Sequence, residues 1–288
     1  MDNQLIKQTA LETIQLEKTA IEQLSNFIDD GFASAIECLH QCTGRVIVSG
    51  IGKSAIIAQK IVATFNSTGT PAVFMHAADA IHGDLGMMQQ ADIAIVISKS
   101  GESAEIKVLI PLIKNFGNTL IAICGNKKSF LATQSDFFID TTVAIEACPN
   151  NLAPTTSTTA QLVMGDAIAV CLLKMKGFSA SDFAKYHPGG ALGKQLYLKV
   201  QSLSNIHEKP QVYEFDSIKK VIIEITHKRL GATVVLNENN HIKGIITDGD
   251  IRRMLEKNTD FNKMSAQDIM NTQPKTIDAD DLAVNALE

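Results

Sequence analysis

The sequence predicts an α/β chain: a five-stranded parallel sheet flanked by helices, followed by a smaller α+β region. Three observations predict it. Short apolar runs without polar alternation recur between amphipathic stretches from Arg45 to Met175, the pattern of strands buried on both faces by crossover helices. Glycines, serines and histidines cluster just after the ends of those runs, where ligands bind in such sheets. Beyond Val200 the texture changes to a repeat with an offset of 64 residues, a supersecondary unit copied once. A chain of 288 residues with 45% apolar side chains can build about two domains.

Leu5, Ile6, Leu11, Ile14, Leu16, Ile21, Leu24 and Ile28 recur near helical spacing with charges between them, so a long amphipathic helix opens the chain. A second, short helix is expected over Phe32–Cys42. Arg45–Ser49 reads as the first buried strand, and Gly50-Ile51-Gly52-Lys53-Ser54 turns it into a helix through about Phe65. Ala72–Met75 is the second strand and Asp92–Ser98 the third, with a helix over Glu102–Phe116. Thr119–Cys124 is the fourth strand, with a short helix after Lys127, and Phe137–Asp140 is the fifth. A long helix over Thr155–Met175 follows. In the repeat, Pro210 matches Pro274, Asp216 matches Asp280 and Ile218 matches Leu282. The first copy continues through a helix (Ser217–Lys228), strands at Ala232–Leu236 and Ile242–Ile246, and a turn at Thr247-Asp248-Gly249-Asp250. The second copy stops at Glu288, so the natural product is expected to run on for about 35–40 residues by repeat arithmetic. The expected division is 1–199, 206–257 and a partial unit over 264–288.

Composition excludes several classes. Lys+Arg is 26 against Asp+Glu 31, and a mildly acidic chain without a basic run is no candidate for nucleic acid. With no Trp and only 3 Tyr, stacking platforms are missing. The apolar runs fall short of the about 20 residues of a membrane span, so no transmembrane helix is expected. The charged, interrupted N-terminus does not read as a signal peptide. Five cysteines without a C-x-x-C pair read as reduced thiols of a cytoplasmic protein.

Gly50-Ile51-Gly52-Lys53-Ser54 is neither a P-loop, since position 47 is Ile, nor G-x-G-x-x-G, since position 55 is Ala. It reads as a tight turn or as a turn that presents Lys53 to an anion. Ser98-Lys99-Ser100-Gly101-Glu102-Ser103 offers three hydroxyls, a glycine and a helix N-terminus, a setting for phosphate; the plainer reading is N-capping by Ser100. Glu102 and Glu105 would repel an anion there unless they point away, with Lys99 offsetting them. Glu146, in the loop after the fifth strand, is either a solvated carboxylate or a general base. His76 and His82 after the second strand, and His187 in His187-Pro188-Gly189-Gly190, are candidates for acid/base work, whereas His40, His207, His227 and His241 have no such context. His76 and His82 together suggest a divalent cation, with no third ligand by spacing. A phosphate cradle, a lysine, a carboxylate base and histidines describe proton transfer beside the carbonyl of a phosphosugar.

These stretches, with Phe65-Asn66-Ser67-Thr68-Gly69-Thr70-Pro71 and His82-Gly83-Asp84-Leu85-Gly86-Met87, resemble the sugar isomerase (SIS) domain of D-arabinose 5-phosphate isomerases. The repeat with Thr247-Asp248-Gly249-Asp250-Ile251-Arg252-Arg253 resembles the CBS pair those enzymes carry. Two departures stand out: Lys99, where many relatives have Asn, and the incomplete second CBS copy. The resemblance implies a SIS fold, interconversion of D-arabinose 5-phosphate and D-ribulose 5-phosphate, and service to Kdo and lipopolysaccharide synthesis in Gram-negative bacteria. It implies Lys53, Glu105, Glu146 and His187 as catalytic residues, with Glu105 in a role toward Lys53 rather than substrate. Ser54, Gly69, Thr70, His76, His82, Ser98, Ser100 and Ser103 are implied in substrate binding, and His76 in inhibition by metal. No cofactor is expected, Zn acting only as an inhibitor. Expected partners are the sugar phosphate, a nucleotide or pathway product as regulator, and further copies of the chain, as a tetramer. A phosphosugar-sensing SIS protein without catalysis, or an isomerase of another sugar phosphate, is the alternative.

Overall fold

The computed structural model describes residues 2–206, 208–256 and 260–287. His207, and Lys257 and Glu288 at the ends of two expected segments, lie outside the described residues. Packing divides the chain into a unit over 1–187 and a unit over 188–288.

The first unit begins with helices α1 (Asn3–Leu24) and α2 (Asp30–His40). Strands β1 (Val46–Gly50), β2 (Ala72–His76), β3 (Ile93–Ser98), β4 (Leu120–Cys124) and β5 (Phe137–Asp140) form one parallel sheet in the order β2-β1-β3-β4-β5. Helix α3 (Lys53–Ser67) follows β1, α4 (Ala77–Ala80) follows β2, α5 (Ala104–Asn115) follows β3 and α6 (Phe130–Gln134) follows β4. Helix α7 (Thr156–Met175) follows the long loop after β5, and α8 (Ala180–Tyr186) closes the unit. Alternate strand residues face opposite sides. Val46, Val48, Ile95, Ile97, Ile121 and Ile123 pack against α2, α3 and α7, while Ile47, Val96, Leu120 and Ala122 pack against Ile106, Leu109, Ile110 and Ile113 of α5. Asp92, nearly sealed from water, ties down the opposite end of the sheet by accepting from Arg45 N–H (2.8 Å) and the Arg45 guanidinium (2.9 Å). Burial pushes its carboxyl up, but the bonds from Arg45 and from Gln89 N–H outweigh that and hold it below the usual range.

Helix α7 is the one helix among the described residues that is long and apolar enough to raise the question of a membrane span. By length and composition it could span a membrane, since its polar residues are mostly uncharged Thr, Ser and Gln. Half of that apolar stretch is buried in the first unit's core, where Gly165 lets Ile61 of α3 come so close that a Cβ would stand 2.3 Å away.

The second unit contains α9 (Ala191–Tyr197), α10 (Val200–Ser204) and a small sheet of β6 (Gln211–Tyr213), β7 (Ala232–Leu236) and β8 (Ile242–Thr247). Strand β6 is parallel to β7, and β7 is antiparallel to β8. Helix α11 (Ile218–Lys228) covers it through Val221 and Ile225, which meet Val212, Val235, Ile246 and Ala266. The expected Asp248 turn is instead the first turn of α12 (Asp248–Glu256), because Asp250 folds back to accept from Thr247 N–H (2.8 Å) and Thr247 Oγ1 (2.6 Å). Residues 188–199 group with this unit rather than the first: Lys199 bridges Leu282, and Val200 N–H donates to the Asp281 carbonyl. The open sheet face carries a groove of ≈ 710 Å³ edged by Tyr213, Val234, Leu236 and Ile242.

Candidate active site

The strand order reverses between β1 and β3, and an open parallel sheet binds ligands outside the carboxyl ends at that point. The register brings the candidates to this edge. Gly50 at the end of β1 pairs with His76 on one side and Ile97 on the other. Ser98 pairs with Cys124, and Cys124 with Asp140. Lys53, the loop Ser98–Ser103 and the loop carrying Glu146 therefore leave the same end of the sheet.

The phosphate-type loop is built by its own hydroxyls. Ser98 Oγ accepts from Gly101 N–H (3.0 Å), Ser100 Oγ from Glu102 N–H (3.3 Å), and Ser103 caps α5 by accepting from Ile106 N–H (3.5 Å). The N-cap is thus Ser103, not Ser100, and the helix begins at Ala104 rather than Glu102. A hydroxyl that accepts from an amide keeps its O–H to donate, so capping and anion binding coexist. Gly101 sits at φ +69°, and a Cβ there would meet Ser129 Oγ at 2.2 Å.

Glu146 is not a solvated loop carboxylate; its residue is 1% exposed. Oε2 accepts from Thr155 N–H (2.8 Å), Ser157 N–H (3.1 Å) and the Thr155 hydroxyl (3.3 Å). Oε1 stands 2.7 Å from Lys99 Nζ, an ion pair that falls short of hydrogen-bond alignment. Burial by itself pushes the carboxyl up; Lys99, the adjacent Ser157 hydroxyl and the two amides outweigh it and hold Glu146 at about 2. It is ionised near neutrality. Lys99 therefore does not offset Glu102 and Glu105 as expected from its position in the loop. Glu102 instead pairs with Lys107 (2.8 Å) and accepts from Phe130 N–H (2.6 Å).

The other candidates are placed less completely. Lys53 is exposed at the first turn of α3, and Ser54 donates to Gln161 Oε1 of α7 (3.1 Å). Glu105 is half-buried, and no hydrogen bond or ion pair joins it to Lys53 among the described residues. Thr70 is buried; Lys176, which the sequence did not single out, donates to its hydroxyl (2.8 Å) and to the Gly69 carbonyl (3.0 Å). Burial lowers the Lys176 ammonium. A lysine capping the last turn of a long helix reads as a dipole partner, which hid it. His76 is half-buried 3.6 Å from Asp79, and His82 is exposed. Among the described residues, no three His, Cys, Asp or Glu side chains converge as a metal site. His187 ends α8, its Nδ1 at 3.0 Å from the Phe183 carbonyl and its ring stacked on Phe183 at 3.9 Å. The structure does not bond it to Glu146 or Lys53.

A serine loop after β3, an exposed lysine after β1 and a sealed carboxylate paired to that serine loop, all at the carboxyl end of one parallel sheet, are what a SIS-type sugar-phosphate domain presents. Residues 39–171 match the SIS domain family, and residues 203–257 match the CBS domain family. The chain is 47% identical over 281 residues to the arabinose 5-phosphate isomerase KdsD of Pseudomonas aeruginosa, covering 97% of this chain and 86% of the relative. It is 45% identical over 282 residues to KdsD of Escherichia coli K12, covering 98% and 86%. A solved structure of an E. coli CFT073 protein in complex with arabinose 5-phosphate superposes with TM-score 0.63 at 42% identity, over 65% of this chain and all of that one. The chain belongs to the arabinose 5-phosphate isomerase family.

Proposed function

We propose that the chain interconverts D-arabinose 5-phosphate and D-ribulose 5-phosphate through a cis-enediol. The observation that carries this is the ionised, water-sealed Glu146 beside the serine loop at the sheet's switch point. The loop takes the phosphate, whose remote binding energy orients C1 and C2. Glu146 removes the proton from C2 of the open-chain aldose and returns it to C1, while the O2 proton passes to O1. Lys53 stabilises the enediolate charge, and His187 opens the ring and moves the oxygen-bound protons. Glu105 acts around Lys53; Ser54, Gly69, Thr70, His76 and His82 shape the sugar pocket, with Lys176 bracing Gly69 and Thr70.

His187 reaches a neighbouring subunit's site in this reading, and exposed Leu5, Ile6, Leu11 and Ile14 on α1 supply the interface of a tetramer. The enzyme needs no metal; Zn inhibits at His76. It acts in the cytoplasm, ahead of Kdo and lipopolysaccharide synthesis, and its CBS region takes a nucleotide or pathway product. The sensing alternative gains no support from α1 and α2, which pack on α7 and β5 as part of the sheet's own cover. Proton NMR of the purified chain over a panel of aldose 5- and 6-phosphates tests the activity: conversion of D-arabinose 5-phosphate is expected, and no conversion of any of them refutes it.

A further inference from the structure

The ion pair between Lys99 and Glu146 raises a conflict within the proposed chemistry. A base that takes a proton from carbon needs a free lone pair aimed at substrate. Oε2 of Glu146 is committed to Thr155 and Ser157. Oε1 is the oxygen left, and Lys99 Nζ stands on it at 2.7 Å. In this state the carboxylate is charged, screened and a poor proton acceptor.

Lys99 is also a member of the anion loop, between Ser98 and Ser100. Its backbone is fixed, since its carbonyl accepts from Gly125 N–H (3.2 Å). Its side chain is 43% exposed, against 0% for Glu146. One end of the pair is therefore sealed in protein and the other is partly open to solvent, on the segment that would bind phosphate. An ammonium has three donors and no fixed plane, so it can change acceptors by side-chain rotation alone. A phosphate dianion at Ser98, Ser100 and Ser103 attracts it more strongly than a monoanion already neutralised by two amide dipoles.

We propose that Lys99 is a substrate-operated latch: it holds Oε1 of Glu146 in the free enzyme and transfers to the phosphate of the bound sugar, releasing the carboxylate to act as base. This rests on the isomerase reading above, with Glu146 as base. Lys99 touches the phosphate of the bound sugar and acts on the reacting carbons only through Glu146. The latch couples the binding of the phosphate to the creation of the base, so a sugar without phosphate leaves the base shut.

Lys99 faces Glu146 from the loop after β3, and Cys148, whose thiol senses the Glu146 charge, lies in the loop that carries Glu146. The α7 residues that touch it, Thr155 and Ser157, are uncharged, and Glu17 of α1 accepts from the Thr159 hydroxyl further along α7. Removing Lys99 takes away the largest of the influences that hold the carboxyl down, so the free-enzyme carboxyl moves up.

The test is the pH dependence of kcat and of kcat/KM with D-arabinose 5-phosphate for wild type, Lys99→Met, Lys99→Gln and Lys99→Arg. The first parameter reports the complex and the second the free enzyme. Taking variant-to-wild-type ratios cancels the ionisation of the substrate phosphate. For Lys99→Met and Lys99→Gln, KM should rise about tenfold or more, the worth of a charged hydrogen bond. Their kcat/KM ratio should fall as pH drops through the carboxylate range, while the kcat ratio stays flat with pH. Lys99→Arg, which keeps the charge, should return the kcat/KM ratio to a flat line. A raised KM with both ratios flat makes Lys99 a phosphate ligand only and overturns the latch. Both ratios falling together means that Lys99 stays on Glu146 in the complex, which overturns it too. Wild-type turnover, measured first in the same assay, separates the two claims: its absence defeats the isomerase reading itself.

Discussion

Replacing Gly101 with Ala tests whether the serine loop is held by the close approach seen in the structure. Two costs add. A side chain at φ +69° costs about 1–2 kcal/mol in the left-handed region. The new Cβ would also lie 2.2 Å from Ser129 Oγ, 2.6 Å from Ser129 Cβ and 2.9 Å from Cys124 Sγ, in a place where both neighbours are fully buried. Overpacking of that kind costs about 1–3 kcal/mol, so the loss should be about 2–5 kcal/mol. Gly177→Ala is the control: it shares a left-handed φ, +61°, but nothing lies within 4 Å of its Cβ. It should lose the backbone share alone, about 1–2 kcal/mol. Urea unfolding of both variants measures the difference. The same strain pulls Gly101 N–H from Ser98 Oγ, so KM for the phosphosugar should rise in Gly101→Ala more than kcat falls. Equal stability losses in the two variants, or a KM unchanged in Gly101→Ala, would refute the reasoning.

Glu146 also couples stability to acid. Its folded value, about 2, lies below the ordinary 4.5, so the unfolded chain takes up the proton first as pH falls. The stabilisation is complete above about pH 4.5 and is lost as pH falls from there through 2; acid unfolding of wild type and Glu146→Gln should therefore converge over that window, and parallel curves would contradict the ion pair. Chelation should leave activity intact, added Zn²⁺ should inhibit through imidazole binding, and His76→Ala should weaken that inhibition; activity lost on chelation and restored by Zn²⁺ would reverse the assignment. Mixing inactive Glu146→Gln with inactive His187→Ala subunits should restore part of the activity, and no recovery in subunits shown to exchange would place His187 in its own chain's site.

The sheet was legible because each strand is a short apolar run with a glycine, serine or proline boundary, and because parallel strands buried on both faces leave no alternation to misread. The long helix after β5 was legible by its length and the first CBS-like unit by its repeat. The short helices α8, α9 and α10 were not, since seven residues or fewer give too little periodicity, and β6 has only three. The site was legible as residue types after strand ends, the place where an open parallel sheet binds. What joined them was not. Lys99 and Glu146 come from loops after β3 and β5, two strands apart in the sheet, and no local pattern states that one side chain reaches the other. The same holds for Lys176, which reaches the loop before β2 from the end of α7. Sequence spacing also led Lys99 toward Glu102 and Glu105, its neighbours in the chain, when tertiary packing gave Glu102 to Lys107.

The central claim is that Glu146 carries the proton between C2 and C1. Glu146→Gln keeps the shape and the acceptor for Thr155 and Ser157 while removing the basicity. Proton NMR of D-arabinose 5-phosphate turnover, with sugar-phosphate binding measured alongside, tests it directly. General base catalysis is worth about 10²–10⁴-fold, so turnover should fall by at least that much while binding survives. Turnover within about threefold of wild type would contradict the account.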